Sequence, residues 1–229
     1  MPWALLDMLA RPAAAFLLLI SLIVLSFSET AAAAQGRTRY QALYNALAPG
    51  LIFGEFERLV SVQHVYSKRD DVRADSIRVT ILSKSGRVEL VPDKSGRVDF
   101  PMTRELLKEN PWVESNQPQG SLGLSATMEL KISSVREIPY AELFEAMQQA
   151  QAALEKLGPP MSARRVRGVD LLFDAKAEAS LTIEDAKSEE LALANAGGVI
   201  SIRMNEAWVK SKAQVRMSAV LKSARPRID

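Results

Sequence analysis

SLGLSATMELKIS, residues 121–133, alternates without interruption. Leu122, Leu124, Ala126, Met128, Leu130 and Ile132 fall on one side, and Ser121, Gly123, Ser125, Thr127, Glu129, Lys131 and Ser133 on the other. A period of two held over that length predicts an antiparallel strand with one buried and one wet face. Shorter runs of the same period lie upstream: Val60, Val62, His64 and Tyr66; Ile77, Val79 and Ile81; Val88 and Leu90; Val98, Phe100 and Met102.

At Pro139 the period changes to that of a helix. Tyr140, Leu143, Phe144, Met147, Ala150, Leu154 and Leu157 form one apolar stripe, and Gly158-Pro159-Pro160 stops it. A shorter helix is predicted over Thr38–Ala48, with Thr38 as its cap. After the long helix the strand pattern returns: Val169, Leu171 and Phe173; Leu181 and Ile183; Leu191 and Leu193; Ile200, Ile202 and Met204. Val215, Met217, Ala219 and Leu221 close the chain.

The strand-rich halves match each other. At an offset of 102, Thr80-Ile81 falls on Thr182-Ile183, Gly96 on Gly198, Val98 on Ile200, Phe100 on Ile202, Met102 on Met204 and Val113 on Val215. Thr103 and Asn205 each supply a side-chain acceptor for a following helical turn. The first strands match at an offset of 107, which sets Val62 on Val169 and His64 on Leu171. The second copy shows no counterpart of the strand 121–133. The expected fold is mainly β within the α+β class: two related antiparallel β-sandwich-like modules bridged by an amphipathic helix. The boundaries are 1–34 for an export signal, 35–136 for the N-terminal helix and first β module, 137–160 for the linking helix, and 161–229 for the second module.

The export signal rests on the apolar run 13–28, AAAFLLLISLIVLSFS, followed by ETAAAAQ. Ala32 and Ala34 fit the small-x-small pattern for cleavage before Gln35. The run is shorter than the ~20 residues a spanning helix needs. The expected location is therefore periplasmic or secreted, with membrane attachment only if the segment is retained.

Composition bounds the chemistry. Among 229 residues there is no Cys and one His, and 29 Lys+Arg stand against 27 Asp+Glu. That excludes disulfides, thiolate metal sites, cysteine nucleophiles and multi-histidine centres. A net charge of +2 argues against an electrostatic nucleic-acid binder. The 48% hydrophobic content suffices for a packed core.

VELVPDKSGRVDFPM, residues 88–102, has the form strand, Asp-x-x-Gly-Arg turn, strand, Pro, carried by Asp93, Gly96, Arg97 and Pro101. It resembles the hairpins of secreted transthyretin-like and carboxypeptidase-regulatory-like β-sandwiches. The stretch 100–124, FPMTRELLKENPWVESNQPQGSLGL, resembles an uncharacterised secreted domain family of Gram-negative bacteria. The sandwich resemblance implies a stability, adhesion or binding module, and it carries over no catalytic residue.

Two residues stand out as ligand-binding candidates. Trp112 follows Asn110-Pro111 and precedes a polar stretch, where an aromatic anchor would serve a partner or glycan. His64 could act in a hydrolase only with a carboxylate and nucleophile, and its neighbours supply neither. The acidic loop Asp70, Asp71 and Asp75 is interleaved with Arg69 and Arg73, so it reads as self-neutralised rather than as a cation site. Glu184, Asp185, Glu189 and Glu190 read as hairpin surface rather than as a glycosidase pair. Arg164, Arg165 and Arg167, with Lys210, Lys212, Arg216, Lys222, Arg225 and Arg227, read as solvated basic faces. The expectation is a non-catalytic envelope protein with no metal or cofactor, acting as a binding or assembly module. Its partner would be another envelope protein. A carbohydrate or cell-wall module is the alternative, and a hydrolase is a third.

Overall fold

The computed structural model describes residues 35–185, 189–195 and 197–229. The export segment 1–34 and its cleavage point lie outside them. Among the described residues are thirteen strands and four α-helices, and the fold is mainly β with all strand pairs antiparallel. No helix among them is long and apolar enough to cross a membrane.

The first half begins with β1 (Gln35–Arg39) and α1 (Tyr40–Leu47). Helix α1 starts two residues later than the sequence suggests. Thr38 is not its cap, because its backbone is held in β1 opposite Val113. A 3₁₀ helix, Ala48–Glu55, continues the chain. Then come β2 (Leu59–Ser67), β3 (Val79–Ser83), β4 (Gly86–Leu90), α2 (Arg104–Glu109), β5 (Trp112–Pro118) and β6 (Leu122–Leu130). They form a four-stranded sheet in the order β1-β5-β3-β4 and a separate pair β2-β6. Val79, Ile81 and Val113 of the sheet share one core with Val65 of the pair and with Tyr40 and Leu47 of α1.

The second half repeats this order with one strand more, over 199–203, where the matched residues 97–101 of the first half make only an isolated bridge at Arg97. It comprises β7 (Glu137–Pro139), α3 (Tyr140–Leu157), β8 (Val166–Leu172), β9 (Ser180–Glu184), β10 (Glu189–Leu193), β11 (Val199–Arg203), α4 (Glu206–Lys210), β12 (Gln214–Met217) and β13 (Ser223–Ile228). Its four-stranded sheet runs β7-β12-β9-β10, and β8 lies between β11 and β13.

The match between 76–113 and 178–215 holds without a slip. Ile81 pairs with Val113 as Ile183 pairs with Val215, and Thr80 pairs with Glu89 as Thr182 pairs with Leu191. Thr103 accepts from the Leu106 amide and Asn205 from the Ala207 amide, so both short helices are capped as expected. Each helix leads to a residue of positive φ at the matched position, Asn110 (48°) and Lys212 (56°). Met102 and Met204 both lie half-buried against their own cores.

Four expectations change. First, the offset between β2 and β8 is 108, not 107. The Val65 amide donates to the Gly96 carbonyl as the Phe173 amide donates to that of Gly198. His64 therefore matches Leu172 rather than Leu171, and Val62 matches Asp170 rather than Val169. A one-residue slip exchanges the faces of a strand, so the apolar pattern alone had aligned the wrong sides. Second, the strand 121–133 does have a counterpart. Strand β13 pairs with β8 as β6 pairs with β2, His64 opposite Ser125 and Leu172 opposite Ser223. The basic tail SARPRI hid it.

Third, the Asp-x-x-Gly turn is not a hairpin. Asp93 Oδ1 accepts from the Ser95 and Arg97 amides, and Asn195 Oδ1 from those of Gly197 and Val199. The turn is thus the same in both halves, with φ of 84° at Gly96 and 72° at Gly198. Yet the strands on either side enter different sheets: β4 pairs with β3, while Arg97 bridges to His64 of β2. The turn is a corner between sheets.

Fourth, α3 holds in the second half the place that α1 holds in the first. The Tyr40 hydroxyl donates to the Pro101 carbonyl and accepts from the Thr103 amide. The Tyr140 hydroxyl donates to the Arg203 carbonyl and accepts from the Asn205 amide. The Tyr40 amide meets the Pro111 carbonyl and the Tyr140 amide that of Ala213, each at 2.9 Å. The same helix also joins the halves. Gln149 Oε1 accepts from the Arg58 amide, Glu145 pairs with the Arg58 guanidinium, and Leu59, Met128 and Leu130 belong to the core around Tyr140, Leu143, Met147 and Leu154. Phe144, expected within the buried stripe, only packs partly buried against that core.

Candidate functional site

The two sheets of the first half do not close fully on each other. Between them lies an apolar cavity of about 350 Å³, open to solvent. Val79 and Val113 line it from the four-stranded sheet, Val65, Leu122 and Leu124 from the β2-β6 pair, and Leu43 from α1. Arg37, Gln119 and Gly120 are the exposed members of the lining and mark its mouth. The volume falls within the ~300–1,000 Å³ usual for small-molecule sites, and an apolar lining with few polar groups is their usual character.

The matched positions of the second half explain the space. Where the first half has Thr38, Val65 and Ser115, the second has Ile138, Phe173 and Met217, all buried. The matches are set by backbone pairing. Thr38 lies opposite Val113 and Ile138 opposite Val215, Val79 lies opposite Ser115 and Leu181 opposite Met217, and Val65 and Phe173 bond to matched glycines. Three large inward side chains are replaced by three small ones. Two exchanges run the other way: Leu90 stands for Ala192 and Phe100 for Ile202. The second half accordingly has a smaller hollow, about 170 Å³, lined by Ala192 and Ile202. Empty space follows side-chain size position by position, as a close-packed interior requires.

Arg37 and Glu114 are the charged residues of the lining. Arg37 Nε lies 3.4 Å from Glu114 Oε1, with the guanidinium half exposed. Lys68 Nζ donates to the Gly120 carbonyl at 3.0 Å, and no carboxylate pairs with it among the described residues.

Trp112 stands on β5 opposite Arg39, on the outer side of the sheet. It is half-buried, and two guanidinium groups stack on it, Arg39 at 3.8 Å and Arg37 at 4.3 Å from the ring centre. Cation–π contact of this kind occupies the surface that a sugar ring would need. His64 lies on the outer face of β2 between Ser125 of β6 and Arg97. Its Nε2 is buried and has no hydrogen-bond partner. Its neighbour Val65, not His64, points to the cavity.

The acidic loop is self-neutralised. Asp71 pairs with Arg69 and Asp75 with Arg73, each at 2.7 Å, and the hydrogen bond from its arginine holds each carboxyl below its ordinary range. Glu184 pairs with Arg216 at 2.6 Å. Among the described residues no group of three His, Asp or Glu side chains is placed to hold a metal ion. Burial pushes the Tyr140 phenol up to about 12, against the opposing hydrogen bond from the Asn205 amide, and it raises Tyr40 in the same direction.

Val65 and Ser115 were not singled out by their sequence, and Thr38 only as a helix cap. Their signal exists only once the halves are aligned at three different offsets, 100 for β1, 108 for β2 and 102 for β5. Comparison with family models, curated proteins and solved structures returns no match for this chain.

Proposed function

We propose that the protein is a non-catalytic module exported to the cell envelope, built by internal duplication, and that its first half binds a small apolar molecule between its sheets. The observation that carries this reading is the open, apolar cavity of about 350 Å³ in the first half, about twice the hollow of the matching half. A structural repeat has no packing reason to keep smaller side chains at three inward positions of one half and leave the space open. A copy relieved of close packing by a ligand does.

Assembly with another envelope protein is the more general form of the same reading, and it has no comparable feature among the described residues. Glycan binding at Trp112 would have to displace Arg37 and Arg39. Hydrolysis around His64 would need a partner for Nε2.

The neutral fluorescent probe N-phenyl-1-naphthylamine tests the reading. Protein recovered from the envelope fraction should bind one equivalent with micromolar affinity, and Val65→Phe with Ser115→Met should abolish binding while the thermal transition stays or rises. No enhancement of probe fluorescence, or binding unchanged in the filled variant, refutes it. N-terminal sequencing of the same preparation should start at Gln35, and an intact Met1 would mean a retained anchor.

A further inference from the structure

We infer that the ligand is uncharged and carries an oxygen group, a hydroxyl or a carbonyl, that hydrogen-bonds to the Thr38 hydroxyl in the wall of the cavity. This rests on the cavity reading above and adds the class of molecule.

Thr38 faces inward. It lies opposite Val113 across the pair β1-β5, and directly opposed residues of an antiparallel pair share a face. Both line the cavity. The flanking Arg37 and Arg39 take the other face, where their guanidinium groups stack on Trp112.

The Thr38 hydroxyl has no duty within the fold. As a cap of α1 it would have bonded an amide of the first turn. Other groups meet those amides: Tyr40 donates to the Pro111 carbonyl and Gln41 to Asn110 Oδ1, each at 2.9 Å. Thr38 Oγ1 has no hydrogen-bond partner among the described residues. The other polar side chains of the lining are engaged or lie at the mouth. Ser115 Oγ donates to the Gln117 carbonyl at 3.1 Å, Glu114 pairs with Arg37, and Gln119 is exposed.

The matched residue shows that packing does not account for the oxygen. Ile138 holds the same place opposite Val215 and is fully buried. A Val at position 38 would open similar space with the same branching at Cβ, so space alone does not require a hydroxyl. Once a ligand closes over it, that hydroxyl costs free energy unless the ligand bonds to it. The rest of the inner wall includes Leu43, Val65, Val79 and Leu124, whose side chains offer neither a hydrogen bond nor a counter-charge. A charged group there would lose its hydration without compensation, whereas a hydroxyl or carbonyl is satisfied by the one bond.

The experiment is displacement of bound N-phenyl-1-naphthylamine by 1- and 2-naphthol and by the matching methylnaphthalenes, in which a methyl group stands for the hydroxyl. The ratio of naphthol to methylnaphthalene affinity is measured in the native protein and in two variants. Thr38→Val should lower the ratio about fivefold for at least one isomer. Comparing proteins cancels the different partition of the two compounds from water. Thr38→Ser, which keeps the oxygen, should retain the native ratio. The β1 ladder uses backbone groups, so both variants will fold. The naphthoates, similar in shape but charged, should displace least. A ratio unchanged in Thr38→Val, or lowered as much in Thr38→Ser, overturns the bond to the hydroxyl. Stronger displacement by a naphthoate than by the matching naphthol overturns the uncharged class. Displacement by none of these compounds while the probe binds overturns both. In all these outcomes the cavity reading stands, since the probe binds. Failure of the probe to bind removes that reading instead.

Discussion

Two halves with the same strand order and register are packed to different degrees. In the second, Ile138, Phe173 and Met217 fill the space between the sheets, and Leu143 and Met147 of α3 are fully buried. In the first, Thr38, Val65 and Ser115 leave it open, and the helix counterpart Leu43, only partly buried against the core, also lines the cavity. The helices differ in length for a related reason. Helix α1 ends at Leu47, before Pro49-Gly50 in the 3₁₀ helix. Helix α3 continues to Leu157 and packs Ala150, Ala153 and Leu154 into a core that also takes side chains from the first half. The backbone plan therefore does not require a filled interior. Its hydrogen-bonded corners and capped turns are kept in both halves, while inward volume varies.

The largest expected difference lies in the helices. Leu143→Ala should cost about 2–5 kcal/mol, since it creates a cavity in a closed core. Leu43→Ala, beside existing space, should cost at least about 1 kcal/mol less. Urea unfolding of the two variants measures this, and equal costs would mean that the first half is as tightly packed as the second.

Next come the matched tyrosines. Tyr140→Phe removes a hydroxyl that satisfies a buried carbonyl and an amide, both at 2.8 Å, and should cost about 1–3 kcal/mol. Tyr40→Phe should cost less, because its bond from Thr103 is 3.3 Å long. Tyr140 also predicts a pH dependence. Its folded pKa, about 12, lies above the ordinary 10.0, so the folded state holds its proton where the unfolded state loses it. The stabilisation is complete below pH 10 and falls as pH rises from 10 to about 12, at about 1.4 kcal/mol per unit. Tyr140→Phe should remove that fall. A native protein with flat stability across this window would contradict the burial of the phenol.

The smallest difference is at the corners. Asp93 titrates and Asn195 does not. The hydroxyl of Ser95 and the amides around it hold the Asp93 carboxyl below its ordinary range. Its contribution is present above the ordinary carboxylate pKa and is lost as pH falls through the lowered one. Asp93→Asn should leave stability at pH 7 within about 1 kcal/mol and flatten the acid side of the profile. Gly198→Ala and Gly96→Ala should each cost more than that, because a Cβ would meet the Phe173 carbonyl at 2.9 Å and the Val65 carbonyl at 2.5 Å.

By itself the sequence determined the strand-rich class, a strand within 121–133 (observed as Leu122–Leu130, with Glu129 of its expected wet face buried), the long helix and the register of 76–113 on 178–215. Each of these depends on short-range periodicity or on a cap or turn residue whose chemistry is local. It also determined that Cys chemistry and multi-histidine sites are excluded. Tertiary structure alone decided the rest. The offset of β2 against β8 depends on which face meets which neighbour, and apolar residues on both faces, Val60 and Val62 on one and Val65 on the other, do not reveal that by themselves. Strand β13 is a strand because β8 offers it an edge, despite its Arg and Pro. The Asp93 and Asn195 turns became corners because β2 and β8 compete for the chain that follows. Trp112 lost its faces to Arg37 and Arg39 only when β1 paired with β5. The cavity is a difference in volume between residues far apart in the chain, Thr38, Val65 and Ser115, and side-chain volume becomes empty space only when the sheets around it are held at a fixed distance.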